Sequence, residues 1–115
     1  MSSGGPPSAR GLVQAPVVIV CCGDLDRVRK YGERGRKLYT IMDVAASASF
    51  ISLYLTSRGY GSFWVGCFDE TGVSRALGLP DTVRPLILLA VGRPAGERER
   101  PGRLDTEDLV HWGGW

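Results

Sequence analysis

The chain has 115 residues, a hydrophobic fraction of 43%, a charged fraction of 23% and a formal net charge of +2. That length holds one domain with a modest core, and so small a net charge leaves no footprint for nucleic acid. Three cysteines, two of them adjacent (Cys21, Cys22 and Cys67), make no disulfide framework. With His111 as the single histidine and no Cys-x-x-Cys, no metal-binding spacing is present. No basic-then-apolar signal pattern opens the chain, and no charge-free run reaches membrane-spanning length. A reduced, cytoplasmic setting without a membrane partner is the expectation.

Residues 1–14 are Ser/Gly/Pro-rich and lack periodicity, so they are expected to form a disordered tail before a single domain over 15–115. Val17 to Cys22 is a continuous apolar run, rich in β-branched residues and closed by Gly23-Asp24, which predicts a buried strand. Asp24 to Lys37 is densely charged and holds Gly32 and Gly35, which predicts a loop with a helical turn near Leu25 to Tyr31. Its basic residues interleave with Asp24, Asp26 and Glu33 as a solvated face would. Leu38 to Ser57 is the strongest helix, with Leu38, Ile41, Met42, Ala45, Ala48, Ser52 and Leu55 at helical spacing. About 30 Å long, it is apolar nearly all round and needs cover on several sides. A central core helix and a helix shared across a dimer interface both fit that pattern.

Gly59 is placed to end this helix. Phe63 to Phe68 predicts a second strand. Asp69 can cap a short helix over Glu70 to Leu77, stopped by Gly78 and Pro80. Leu86 to Val91 predicts a third buried strand. Arg93 to Arg103 is a loop, and a short turn capped by Asp105 or Thr106 precedes His111 to Trp115. Three strands with one dominant helix fit an α+β or an α/β layer.

No carboxylate pair, Ser/His/Asp set or Cys/His set stands out, so no catalytic side chain is assigned. The chemistry is better supplied by a bound cofactor, with the protein contributing backbone donors and charge. Two stretches suit that role. Trp64-Val65-Gly66-Cys67 sets backbone donors beside an aromatic ring; it reads equally as a strand with a glycine bulge. Arg93, Arg98, Arg100 and Arg103 could clamp a phosphate; they read equally as a solvated loop balanced by Glu97 and Glu99. Arg outnumbers Lys by 12 to 2, which suits anion recognition but follows more simply from genome composition.

The order of pieces resembles the nitroreductase family of flavoproteins. Ala15-Pro16-Val17-Val18-Ile19-Val20 is similar to a strand of that family. So are Tyr31-Gly32-Glu33-Arg34-Gly35 and Leu38, Tyr39 and Asp43 around the start of the long helix. Gly59 to Gly66 is similar to its Gly-x-Gly-Ser/Thr-x-Trp-Val/Ile-Gly segment. Phe68-Asp69-Glu70, Leu77 to Pro80, Arg84-Pro85, Gly92 with Pro94, and Leu109 to Trp115 continue the likeness across residues 15–115. The resemblance implies an α+β, nitroreductase-like fold: a small, mainly antiparallel sheet packed on a long central helix, binding FMN at the interface of a homodimer. It implies electron transfer from NAD(P)H through the flavin to a nitroaromatic, quinone or similar small-molecule acceptor. By the same resemblance Trp64 and Val65 would lie against the isoalloxazine. The amides of Gly66 and Cys67 would face its N5 and O4 edge, and Arg103, with Arg100 second, would sit near the FMN phosphate.

The sequence departs from the family in two places. The family's opening Arg-Ser-x-Arg segment and the elements that follow it have no counterpart, so the chain resembles the C-terminal half of the family fold, its N-terminal half missing. Ser49-Phe50 stands where a Gln-Asn pair is common. A flavoenzyme completed by dimerisation or by a partner chain is one reading; a non-catalytic remnant acting as a structural or interaction protein is a second, and an unrelated small α/β ligand-binding module a third.

Overall fold

A computed structural model describes residues 15–96 and 100–115. The expected tail over 1–14 and Arg98 of the arginine loop lie outside those residues. Three strands form one sheet: β1 (Val17–Asp24), β2 (Gly61–Val65) and β3 (Val83–Gly92). The spatial order is β1-β3-β2 and both pairings are antiparallel. The long helix α1 (Thr40–Ser57) lies across all three strands. A short helix, α2 (Glu70–Leu77), packs on β3, and α3 (Thr106–Leu109) lies near the C-terminus. This is the α+β architecture, with an antiparallel sheet on a long helix.

β1 and β3 are apolar and β-branched where predicted, and each extends beyond its apolar run. Pro85 sits inside β3, the central strand, where it has no N–H for the ladder. The sheet absorbs it by a register shift: Cys21 faces Ile87, but Cys22 faces Pro85. A bulge is where a central strand tolerates proline. By alternation, Ile19, Cys21, Leu89 and Val91 face α1, while Val20, Val65, Leu88 and Ala90 face the other side.

The core forms where α1 meets the sheet. Val44 and Ala48 pack with Cys21, Leu89 and Val91, flanked by Ile51 and Leu55. With buried Thr40 this makes a stripe at positions 40, 44, 48, 51 and 55. The stripe differs from the periodicity predicted, because Ile41 and Met42 are exposed. A helix apolar on every side carries little rotational information, and the sheet selects its own face. Phe50 (72% exposed), Leu53 and Tyr54 also face outward. By length and mean hydropathy, 1.4 over its most apolar window, the helical run Arg29–Ser57 meets the requirement for a membrane span. Thr40, Val44, Ala48, Ile51 and Leu55 seat it on the sheet.

The run begins earlier than predicted. Residues Arg29–Tyr31 form a 3₁₀ turn, Gly32–Arg34 one α turn, and Gly35–Tyr39 a π turn leading into α1. Gly35 is buried, and a Cβ there would stand 2.7 Å from the Val28 carbonyl oxygen. Its carbonyl accepts from Thr40 Oγ1 at 2.9 Å, which satisfies the one buried polar side chain among the described residues. The charged residues are a solvated face as expected: Arg27 pairs with Asp24, Arg29 with Asp26 and Lys37 with Glu33, all exposed. At the other end of α1, Gly59 adopts φ 84°. The amides of Gly59 and Tyr60 donate to the carbonyls of Thr56 and Leu55, closing the helix as a glycine-capped turn.

Candidate functional site

β2 begins and ends earlier than its apolar residues suggested, at Gly61–Val65 rather than Phe63–Phe68. Trp64 and Val65 are therefore its last two residues, and Gly66 and Cys67 lie beyond it. Trp64 opposes Leu89 on the face that carries α1. Its indole Nε1 donates to Ser52 Oγ of α1 at 2.8 Å, while the residue stays 44% exposed. The ring is thus fixed between strand and helix with part of its surface open. An indole N–H has one donor and no acceptor capacity, so this bond sets its orientation.

Val65 is only 3% exposed and opposes Leu88. Its side chain is buried on the face of the sheet away from α1, and what it can offer a ligand is its backbone. Gly66 and Cys67 are exposed. Open space lies where a Cβ of Gly66 would point. Neither amide donates to a turn or loop partner among the described residues. Two backbone donors beside an anchored aromatic ring suit the polar edge of a flat heterocycle that gains negative charge on reduction. In this respect the residues present fit a flavin.

The arginines are placed differently. Every residue from Arg100 to Trp115 is exposed. Arg103 directs Nη1 to the carbonyls of Pro101 and Gly102, at 3.3 and 3.2 Å, within its own loop. Arg93 stacks over Tyr60, 5.7 Å from the ring centroid. His111 packs edge-on against Trp115 at 4.1 Å, and no metal-binding cluster occurs among the described residues.

Two partners escaped the sequence. Ser52 reads as one small residue in a stripe, yet it holds Trp64. Arg84 reads as the residue before a proline, yet it pairs with Glu70 at the start of α2, pinning the chain just beyond Cys67. Neither has a local signal, since each contact spans at least a dozen positions. A recess of about 400 Å³ lies elsewhere, between β1 and α1, lined in part by Cys21, Cys22, Thr40, Asp43 and Ser47. None of Trp64 to Cys67 lines it. Burial pushes both of its thiols up, Cys21 further raised by Cys22 beside it, so neither is an activated nucleophile. The open turn at Trp64 to Cys67 is therefore the better candidate.

The sequence model of the nitroreductase family matches residues 6–93. The chain belongs to the nitroreductase family. A protein of Methanocaldococcus jannaschii named as a candidate nitroreductase is 35% identical over 80 residues, covering 69% of this chain and 39% of that protein. One from Methanothermobacter thermautotrophicus, named as a candidate NADH dehydrogenase/NAD(P)H nitroreductase, is 28% identical over 107 residues, 88% of this chain and 51% of that protein. The structure of a candidate oxidoreductase from Bacteroides fragilis superposes with a TM-score of 0.78 at 27% identity, over 92% of this chain and 48% of that one. This nitroreductase-family chain thus spans from two-fifths to half the length of the curated relatives it matches.

Proposed function

We propose that the protein is an FMN-dependent oxidoreductase that takes electrons from NAD(P)H and passes them to a nitroaromatic, quinone or similar acceptor. The observation that carries this reading is the turn after β2: an indole held by Ser52 beside two exposed amides that donate to no turn or loop partner among the described residues. Bound FMN would supply the redox chemistry. The chain's own part is to wall one side of the ring with Trp64 and to offer the Gly66 and Cys67 amides to its electron-accepting edge. Those donors favour the reduced, more negative form. The nearest acid in sequence after Asp69, Glu70, is neutralised by Arg84. Arg103 and Arg100 are the phosphate ligands of this reading.

One wall does not enclose a flavin, and a second copy of the chain is the proposed complement, a completing partner chain being the other form of it. The outward face of α1 supports this, with Met42, Phe50, Leu53 and Tyr54 exposed on one helix. So does the segment beyond Arg100, where Trp112 and Trp115 are 92% and 100% exposed. Apolar surface of this kind marks an interface. The cytoplasm is the proposed setting, consistent with free thiols.

A second reading has its own support. Arg103 directs Nη1 to carbonyls of its own loop, as it would in a non-catalytic remnant that keeps the core and an interaction surface. The visible absorbance of the purified protein separates the two. Flavin bands that bleach when NADH or NADPH is added under nitrogen support the enzyme. A colourless protein that also fails to bind added FMN overturns it and leaves the remnant.

A further inference from the structure

A second concave site lies where the π turn meets the start of β3. Glu33, Arg36, Lys37, Arg84 and Leu25 line a recess of about 310 Å³. Glu33, Arg36 and Lys37 share one helical face by their spacing. The π turn Gly35–Tyr39 carries two of the three cations, and turns of this rare kind occur often at functional sites. The lining carboxylate Glu33 is engaged by Lys37 at 2.9 Å, and Arg84 holds Glu70. The first pair is exposed on both sides and weakly held, so Lys37 is readily released to a better anion.

Arg84 is the best-prepared group. Its Nε and Nη2 donate to the two oxygens of Glu70, which fixes the guanidinium plane. Nη1 has no hydrogen-bond partner among the described residues. Arg36 forms no ion pair among them either. One oriented guanidinium, one unpaired guanidinium and one ammonium therefore converge on a recess with a charge surplus of one. Such an arrangement matches the several oxygens of a phosphate better than a single carboxylate.

We propose that this recess binds the phosphate of a phosphate-bearing ligand, with Arg36, Lys37 and Arg84 as its contacts. Two sources share that chemistry: a nucleotide, and a free phosphate or diphosphate. The nucleotide source rests on the redox function proposed above; the phosphate site itself does not.

The test is calorimetric titration of the full chain with inorganic pyrophosphate at low salt. Saturable 1:1 binding is expected. It should weaken by roughly tenfold in Arg36→Ala and in Lys37→Gln, the loss expected for one charge-assisted contact. Arg58→Ala removes an exposed positive charge at the far end of α1 and should leave binding unchanged. Both recess positions are exposed, so the variants should keep the wild-type urea midpoint. Absence of saturable binding, unchanged affinity in both recess variants, or an equal loss in Arg58→Ala would each overturn the site. Competition identifies the source. Displacement of pyrophosphate by NADPH but not NADH assigns a nucleotide 2′-phosphate. Displacement by both assigns the nucleotide diphosphate, and displacement by neither assigns free phosphate. A protein without flavin that still binds pyrophosphate defeats the redox reading alone; a flavin-loaded protein that ignores pyrophosphate defeats the recess alone.

Discussion

Replacing Ser52 by alanine tests whether the indole of Trp64 is held where the structure places it. The Nε1–Oγ bond is 2.8 Å long and joins residues twelve positions apart. A neutral hydrogen bond contributes about 0.5–1.5 kcal/mol net. With Trp64 44% exposed, water can reach the freed N–H, so the larger penalty for a buried orphan donor does not apply. Alanine also favours the helix over serine by about 0.5 kcal/mol. Ser52→Ala alone should therefore change the urea midpoint little. The bond emerges in a double-mutant cycle with Trp64→Phe, which keeps an aromatic ring but has no N–H. A coupling of about 1 kcal/mol is expected in unfolding free energy. If ring orientation also serves the flavin, Ser52→Ala should weaken FMN about fivefold, the same energy read as affinity. Stability effects that add within about 0.3 kcal/mol would refute the anchoring.

Gly35→Ala should destabilise the protein by about 1–2 kcal/mol in urea unfolding, because the new Cβ meets the Val28 carbonyl oxygen and overrides the usual helix preference for alanine; an unchanged or raised midpoint would mean that the π turn is not packed as described. In the native protein a thiol reagent should modify exposed Cys67 rapidly and buried Cys21 slowly, with all three cysteines reacting in denaturant. Cys21 and Cys22 have raised folded-state pKa values, so above the ordinary thiol pKa of about 8.5 the unfolded state binds fewer protons than the folded one. Their contribution to stability is complete below that pH and declines above it. A urea midpoint that rises from pH 8 to pH 10 in the wild type relative to Cys21→Ala would contradict the sign. On the proposed homodimer, Phe50→Glu should shift sedimentation from dimer to monomer without lowering the helix content; a dimer that persists would place the interface elsewhere, and a wild-type monomer would refute the dimer.

Much of the fold was legible because it rests on local chemistry. The β-branched run at Val17, the stop of α2 at left-handed Gly78 and the glycine after α1 each carry their own signal, whereas Asp69 holds the N-cap position of α2 without a side-chain capping bond. What was hidden depends on contacts across the chain. Gly32 and Gly35, among so many charges, read as a loop. Gly35 is there because a backbone approaches it, and the helix runs through. The buried stripe of α1 could not be read from a segment apolar on all sides. β2 stops at Val65, where its pairing with β3 ends at Leu88, although Cys67 and Phe68 would suit a strand. At the site, the Trp64 to Cys67 turn was visible as a motif. That Val65 offers only its backbone, that Ser52 orients the ring and that Arg84 neutralises Glu70 are tertiary facts.

The most direct test of the central proposal is a titration of FMN into the purified full chain, read by quenching of flavin fluorescence, in parallel with Gly66→Ala and Gly66→Pro. Space is open for a Cβ at Gly66, so the alanine variant should fold and bind as the wild type does. Proline removes the N–H and should weaken binding at least tenfold. Saturation at one FMN per chain with that ordering is the predicted result. No binding by the wild type, or equal binding by Gly66→Pro, would contradict the account.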